Sequence, residues 1–297
     1  MSSYSLGLAA ALATAVCWAI TSLSFEAAGK RIGSLQVNII RLAFAIVLFA
    51  VLSSLTRGSV IPLDATPELW WWLALSGLVG FVLGDLFLFQ AFVDVGARTA
   101  MLVFSAVPPL TAVFGWLILG ERLVPVQLAA MAITVGGIVL VTSAIEPVAE
   151  TGGNQVRGVW LAVLGAVGQA LGLVLSRYGA PQYDAFAATY IRTIAGFVGF
   201  GVVITGRGIW KQLLLSFRDR RALRHVATGA FFGPFLGVSL GLYAAQRAGT
   251  GVAATIMATV PVIMIPLAVF VLHEQVRARE VFGALLAVGG VAGLFFV

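Results

Sequence analysis

Long apolar runs separated by short polar stretches make up most of the chain. A helix needs about 20 mainly apolar residues to cross a bilayer, and each run is close to that length. We therefore predict an all-α membrane protein with ten spanning helices. They lie at about 5–25, 34–56, 69–93, 97–119 and 124–145 in the first half, and at about 157–177, 184–206, 225–246, 249–271 and 277–297 in the second.

The two halves carry the same residues at a fixed offset. Residues 75–121 match residues 228–274 without a gap when the numbering is shifted by 153, the difference between Gly80 and Gly233. Glycine, proline and glutamate seldom coincide by chance at one offset, so the chain is an internal duplication. The coinciding pairs include Gly84/Gly237, Gly96/Gly249, Pro108/Pro261 and Glu121/Glu274.

The repeat unit has five spans, and this odd number makes the second copy enter the membrane from the opposite side. We therefore predict two inverted five-helix repeats around a central cavity, because substrate sites in such folds lie between the repeats. The first repeat comprises residues 1–146 and the second residues 157–297, with a polar linker at 147–156.

A row of glycines marks the eighth predicted span. Glycine recurs there at every fourth residue, which places the row on one helix face without side chains. Another helix can approach such a face closely, and helices in lipid pack in this way. We predict that the face packs against a helix, and whether it also slides during a conformational change stays open. The row is Gly229, Gly233, Gly237 and Gly241, and the first copy has Ser76, Gly80, Gly84 and Leu88.

Composition agrees with a multi-span membrane protein. The chain is 60% hydrophobic and 10% charged, with a mean hydropathy of +1.04, whereas soluble domains carry about 25% charged residues. The net charge of +6 comes from residues at span ends and in one loop. These residues form no basic stripe with stacking aromatics, so the expected partner is a lipid bilayer and not nucleic acid. Cys17 is a single cysteine, which excludes an intramolecular disulfide.

Loop charges give an ambiguous orientation. Twelve Lys and Arg residues fall on the face of the linker and four on the face of the termini, which by the positive-inside rule puts the termini outside. Six of the twelve lie in residues 207–224. We predict a short interfacial helix there, with Trp210, Leu213, Leu214 and Phe217 on one side. Without this segment the count is six against four and does not decide.

Three ionisable residues lie inside predicted spans, namely Arg41, Asp85 and Arg192. Each costs at least about 2.5 kcal/mol at membrane depth, so it is expected to face the protein interior and is a functional candidate. Two arginines share one carboxylate. We predict an Arg41–Asp85 ion pair and an unpaired Arg192 in the cavity, where a substrate carboxylate would bind. The structural alternative is that each arginine caps helix carbonyls or reaches the interface.

Uncharged polar and aromatic side chains complete the predicted substrate site. Such groups suit an amphipathic small molecule, and their spread over both halves favours a shared cavity. Taken singly, each is more often a helix-packing contact. They are Trp18, Ser22, Gln90, Gln169, Tyr190, Tyr243, Thr255 and Thr259.

Prolines and glutamates recur at matched positions. Pro108 and Pro261 lie mid-span, where proline frees a carbonyl and kinks a helix, either as a hinge or as a static bend. Glu121 and Glu274 follow the fourth and ninth spans, and we predict a structural role for both at the N-terminus of the next helix. The sequence has no P-loop, nucleophile elbow, HExxH or CxxC motif, so we expect no cofactor, metal or catalytic residue.

The closing segments of the two halves carry a resemblance to a known family. These segments, LGERLVPVQLAAMAITVGGIVLV and LHEQVRAREVFGALLAVGGVAGLFF, with the glycine-bearing and proline-bearing spans before them, resemble the EamA group of the drug/metabolite transporter superfamily over essentially the whole chain. His273 stands where the first copy has Gly120, which departs from the pattern. The resemblance implies a ten-span, basket-like carrier, often an exporter, with cytoplasmic termini. We adopt that orientation because one predicted helix dominates the loop count.

These observations predict a secondary transporter of small metabolites. We expect an exporter of amino acids or similar amphipathic compounds that works by alternating access, as a monomer in the cell inner membrane, with protons as a candidate coupling ion. The alternatives are a flippase for a lipid-linked substrate and a membrane enzyme without transport activity.

Overall fold

The computed structural model describes residues 2–88, 90–91, 94, 103–104, 106–144, 155–260, 262–263 and 277–296. Regular secondary structure in these residues is entirely helical. Seven helices are long and apolar enough to cross a membrane. They are α1 (Ser3–Ile32), α2 (Ser34–Arg57), α3 (Pro67–Leu88), α6 (Val156–Gly179), α7 (Ala185–Arg207), α9 (Arg220–Ala248) and α11 (Ala278–Phe295).

The described residues include four further helices. They are α4 (Val107–Leu119), α5 (Pro125–Ala144), α8 (Trp210–Ser216) and α10 (Thr250–Met257). Helices α4 and α5 are apolar and correspond to the predicted fourth and fifth spans, and α10 begins the predicted ninth. The chain is therefore a multi-pass helical membrane protein.

Local sequence sets several helix ends. The Thr66 side chain accepts the N–H of Leu69 at the start of α3, and Asp184 accepts that of Ala187 at the start of α7. Such N-caps satisfy backbone donors that have no partner within the helix. Helices α2 and α7 both end at an Arg-Gly pair, and Gly58 and Gly208 adopt the left-handed conformation that glycine allows.

A π-helical segment occurs at the same place in both halves. It covers Leu78–Gly84 within α3 and Phe231–Gly237 within α9. Both of its ends differ by 153 residues, which is the offset of the sequence repeat. The duplication therefore preserves an unusual backbone geometry, and π segments inside α-helices are frequent at functional sites.

The glycine row of α9 packs against α1, as predicted. A Cβ atom on Gly229 would overlap the Phe25 ring, and one on Gly237 would lie 2.8 Å from the Trp18 indole. Bare backbone is thus required for this approach. Gly233 faces Thr21, and Gly241 faces Met257 and Thr14.

The first copy of the row packs against α6 instead. A Cβ atom on Gly168 would lie 2.8 Å from the Gly84 Cα, and one on Gly172 would lie 2.7 Å from the Gly80 Cα. Hence α1 packs along α9 and α6 along α3, and exchanging the two halves interchanges these pairs. Helix α2 packs against α7 and α5 against α11, each against its own counterpart, and α4 packs against α10.

The predicted interfacial helix is shorter than residues 207–224. Helix α8 ends at Ser216, and Asp219 caps the start of α9 by accepting the N–H groups of Arg221 and Ala222. Leu213 is buried with Ile204 and Val226, so it does not share an exposed face with its neighbours. Trp210, Leu214 and Phe217 remain exposed.

Pro108 does not kink the middle of a continuous helix, which corrects the prediction. A turn at Ala106 precedes α4, and Pro108 lies in the first turn of that helix, where a missing N–H costs little. The second half breaks at the matching place, because α10 ends at Met257 and a turn follows at Ala258 and Thr259. Pro261 lies outside the described residues.

Glu121 also departs from its predicted partner. Its carboxylate accepts the N–H of Thr250 at 2.9 and 3.1 Å and the Thr250 hydroxyl at 2.7 Å, so it caps α10 in the other half and not the next helix, α5. Helix α5 is capped locally, since Val124 donates its N–H to Gln127 and Pro125 has none to donate. Gly115 gives Glu121 and Thr250 the space to meet. Glu274 lies outside the described residues.

Candidate functional site

A buried ion pair joins α2 to α3 beside the first π segment. The Arg41 guanidinium contacts the Asp85 carboxylate, as predicted, and Asp85 is 7% exposed. Gln169 on α6 donates to the second oxygen of Asp85 at 2.8 Å and to the Gly80 carbonyl at 3.2 Å. Three helices from both halves thus hold one carboxylate.

The glycines of α3 make this arrangement possible. A Cβ atom on Gly84 would lie 3.2 Å from the Gln169 amide nitrogen. Because Gly80 and Gly84 carry no side chain, α6 lies close enough for Gln169 to reach the carboxylate. Residues that sequence reasoning assigned to packing and to substrate binding therefore meet at one place.

Arg192 on α7 lies against α3 at Gly77 and Gly80, which precede Asp85 in that helix. A Cβ atom on Gly80 would be 3.5 Å from an Arg192 terminal nitrogen, and the Arg192 backbone packs directly on Gly77. The guanidinium carbon lies 5.1 Å from the centre of the Phe81 ring, and the residue is 4% exposed. Its Nε is buried without a hydrogen-bond partner, and within the described ranges no carboxylate pairs with it.

Both arginines therefore use aromatic faces in place of solvent. The Arg41 guanidinium carbon lies 5.4 Å from the centre of the Phe25 ring, in addition to its contact with Asp85. A ring face attracts a desolvated cation by about 2 kcal/mol. That attraction does not replace hydrogen bonds, so Arg192 retains unused donors that could bind an oxyanion.

The other predicted site residues lie elsewhere in the bundle. Tyr190 stacks on Phe49, with ring centres 5.4 Å apart. Tyr243 lies under the Arg247 guanidinium, whose carbon is 4.1 Å from the ring centre. Gln90 donates to Asp94 at 2.9 Å. These three residues hold local partners and do not join the Arg41–Asp85–Gln169 network.

The small hydroxyl residues bond to their own helices. Ser22, Thr255 and Thr259 donate to the carbonyls of Trp18, Gly251 and Ile256 respectively. Such intrahelical bonds satisfy a hydroxyl within the membrane without any partner helix. Trp18 packs on Gly237. The structure therefore brings together four of the eleven predicted substrate-site residues, which are Arg41, Asp85, Gln169 and Arg192.

A polar cluster at one end of the bundle was missed by sequence reasoning. We call the end that carries Ser3 and Leu294 the terminal face, since the Tyr4 hydroxyl donates to the Leu294 carbonyl there at 3.2 Å. Arg57 contacts Asp64 at 2.5 Å and Asp184 at 3.4 Å, which joins the first half to the second.

Tyr183 completes this cluster. Its hydroxyl donates to Asp64 at 3.1 Å, and its ring lies beneath Arg57. Burial, with Asp64 and Asp184 nearby, raises the pKa of Tyr183 to about 12 despite the opposing charge of Arg57. Burial alone would raise the pKa of Asp64. Hydrogen bonds from Arg57, from its own backbone and from Tyr183, with the charge of Arg57, together outweigh burial, so the pKa lies below its usual value. The available signal was a basic residue at a span end, Arg57, and one aspartate in each of two loops, Asp64 and Asp184. Loop sequence alone does not show which loops meet.

Comparison with known proteins identifies the fold built around this site. The profile of the EamA-like transporter family matches the chain twice, at residues 5–143 and 156–296. The chain belongs to this family. It is thus a membrane transporter protein of the drug/metabolite transporter superfamily, with two EamA repeats.

A curated relative and a solved structure are similar to this EamA-like protein. An uncharacterized transporter of Clostridium kluyveri is 22% identical over 225 residues, which are 74% of this chain and 70% of the relative. A solved crystal structure superposes with a TM-score of 0.73 over 97% of this chain and 96% of its own, at 18% identity. At that identity the likeness shows the shared fold. As a transporter, the EamA-like protein lies in a bilayer and binds small-molecule substrates.

Proposed function

We propose that this EamA-like protein is a secondary transporter of small metabolites that carry a carboxylate, with amino acids as the favoured class. The observation that carries the proposal is Arg192, a guanidinium that is 4% exposed and has no anionic partner in the described part of the chain. A cation at membrane depth is costly unless an anion or water accompanies it. A substrate carboxylate would supply that anion through charge-assisted hydrogen bonds.

Burial of the site supports alternating access. Arg192 and Asp85 are both nearly inaccessible, so a solute could reach them only after helices separate. The two halves would act as inverted repeats, because exchanging them interchanges the α1–α9 and α3–α6 packing pairs. The Arg57 cluster and the Glu121–Thr250 contact would close the entrance at the terminal face, since each joins the two halves.

The direction of transport rests on the orientation of the terminal face. We place that face in the cytoplasm and propose export across the cell inner membrane, as the family resemblance implies. On a Cys17→Ala background, cysteines at Ser3 and Gly152 test the orientation and the inversion together. A membrane-impermeant maleimide should label Gly152→Cys in intact cells and should leave Ser3→Cys unlabelled. The reverse pattern would refute the orientation, and equal labelling would refute the inverted repeat.

Substrate competition tests the role of Arg192. Proteoliposomes would be loaded with labelled amino acid and challenged with matched pairs of acids and amides, for wild type and Arg192→Gln. We expect Arg192→Gln to weaken competition by acids about 10- to 100-fold, because a hydrogen bond to a charged group contributes about 1.5–3 kcal/mol. Amides should change little.

The control variant is Arg207→Gln, which removes an exposed arginine from the same helix. It should leave both members of each pair unchanged, and Arg192→Lys should keep the preference for acids. An equal loss for acids and amides in Arg192→Gln would make Arg192 a structural residue and would refute the carboxylate proposal.

A further inference from the structure

A basic depression lies at the end of the bundle opposite the terminal face. It has a volume of about 560 Å³ and is open to the surface. It forms where α1 ends and α9 begins, so both halves of the chain contribute to it. Its lining residues are Arg31, Leu215, Arg218, Asp219, Arg220 and Arg221.

The single carboxylate of the depression is already engaged. Asp219 accepts a hydrogen bond from Arg31 Nε at 2.7 Å, and it accepts the N–H groups of Arg221 and Ala222 at 3.1 and 3.0 Å. The backbone N–H of Ala222 and the Arg31 guanidinium hold the pKa of Asp219 below its usual value. The carboxylate is therefore charged at neutral pH and is neutralised locally.

Positive charge is left over after this pairing. Four guanidinium groups against one carboxylate leave a net charge of +3 in the depression. Arg218, Arg220 and Arg221 are exposed, and in the part of the chain that the structure describes none of their side chains forms an ion pair. Their hydrogen-bond donors are therefore available at the protein surface.

Leu215 lines the same depression, and two further exposed apolar residues lie beside its lining residues in the chain. Leu214, Leu215 and Phe217 are 67%, 48% and 50% exposed, and they come from the helix and turn that lead into the arginines. Aqueous exposure of such a group of side chains is unfavourable. Arg31 ends one spanning helix and Arg220 starts another, so the group lies where the spans leave the hydrocarbon layer.

We propose that this depression binds the phosphate headgroup of an anionic phospholipid, with the lipid's acyl chains on Leu214, Leu215 and Phe217. A soluble anion would use the arginines and leave the apolar residues exposed, whereas an amphipathic lipid satisfies both. Because Arg31 belongs to the first repeat and Arg218–Arg221 to the second, a bound headgroup would hold the two repeats together at this end.

Lipid retention measures this site directly. The full-length protein would be purified in detergent and mixed with phosphatidylglycerol or phosphatidylcholine, and bound lipid would be counted by native mass spectrometry. The test variant is Arg218→Gln/Arg220→Gln/Arg221→Gln. We expect it to reduce retained phosphatidylglycerol about tenfold or more, because each basic residue near an anionic lipid contributes about 1 kcal/mol. Retained phosphatidylcholine should not change.

The chain offers a matched control from the same loop region. Arg207→Gln/Lys211→Gln/Arg224→Gln removes the same charge from exposed positions outside the depression, and it should change retention less than twofold, about the effect of diffuse screening alone. An equal loss in both triple variants would refute a defined site. A triple Arg→Lys variant at residues 218, 220 and 221 should retain most of the lipid, which also guards against misfolding in the glutamine variant.

Competition with free anion separates the lipid from its headgroup. Millimolar glycerol 3-phosphate should leave retained phosphatidylglycerol unchanged, since it lacks the chains that would cover the leucines and Phe217. Displacement by glycerol 3-phosphate would overturn the proposal in favour of a soluble-anion site. The measurement involves no transport, so its failure leaves the carboxylate proposal for Arg192 unaffected.

Discussion

Glu121 lies in the first repeat and Thr250 in the second, yet three hydrogen bonds join the two residues. The carboxylate occupies the N-terminus of α10, where unpaired backbone N–H groups and the helix dipole favour negative charge. Gly249, with φ of +87°, ends α9 and allows α10 to start immediately. One side chain thus fixes a helix start across the boundary between repeats.

Replacing Glu121 by alanine should destabilise the protein by about 0.5–2 kcal/mol, the usual effect of losing an N-cap. Glu121→Gln should cost less, because an amide oxygen still accepts one N–H. Thermal unfolding of purified protein would measure both. Glu68→Gln is the control, since Glu68 is an exposed carboxylate in the first turn of α3. An unchanged melting temperature for Glu121→Ala would show that the contact does not contribute.

Replacing glycine by alanine should have opposite effects on stability at Gly168 and at Gly201. Gly168→Ala places a methyl group 2.8 Å from the Gly84 Cα, and rigid backbone cannot move aside as a side chain can. We expect a loss of about 1–3 kcal/mol, typical of overpacking. At Gly201 an added Cβ meets no atom within 4 Å, so alanine should stabilise α7 by up to about 1 kcal/mol. Thermal unfolding of the two variants would measure this. If both were stabilised or both destabilised, the result would contradict this packing.

The sequence was sufficient for features that follow from periodicity or from counting. The duplication, the close approach at Gly237 and the Arg41–Asp85 pair all came from spacing or from the number of charges within apolar runs. The partner of Glu121 could not be found in this way, because Thr250 is 129 residues away and the adjacent helix start offered a simpler partner. The hydrogen bond from Gln169 to Asp85 could not be predicted either, since it depends on how closely two helices approach.

No feature of the sequence predicted the π segments. Gly80 and Gly233 suggested packing, but side-chain spacing is similar in an α-helix and in a short π segment. The Arg57 cluster was missed for a related reason, since loop residues such as Asp64 and Tyr183 meet through tertiary structure alone. Sequence thus predicted which residues are unusual at membrane depth, and the structure supplied their partners.

Tyr183 should titrate at unusually high pH. Its pKa is raised from 10.0 to about 12, so between these values the folded protein keeps a proton that the unfolded chain releases. Stability should therefore be unaffected below pH 10 and should fall as the pH rises through this window. Difference absorbance at tyrosinate wavelengths, wild type minus Tyr183→Phe, would isolate the group. A phenol that ionises at its ordinary value would mean that the cluster with Asp64 is open in solution.

The Arg41–Asp85 pair should be more costly to break than to remove. Asp85→Leu leaves a buried guanidinium with the Phe25 ring alone, and Arg41→Met leaves a buried carboxylate with the Gln169 amide alone. Loss of one partner from a buried pair costs about 3–5 kcal/mol, whereas replacement of both by apolar groups is often nearly neutral. The double variant should therefore unfold at a higher temperature than either single variant. Additive losses in this cycle would mean that the two charges do not interact energetically.

If the double variant folds but does not transport, the charges are needed for function beyond stability. Asp85→Asn in proteoliposomes with and without a pH gradient would then separate proton coupling from ion pairing. A gradient-dependent wild type with a gradient-independent Asp85→Asn variant would assign the proton to this carboxylate, and an equal gradient dependence in both would exclude it.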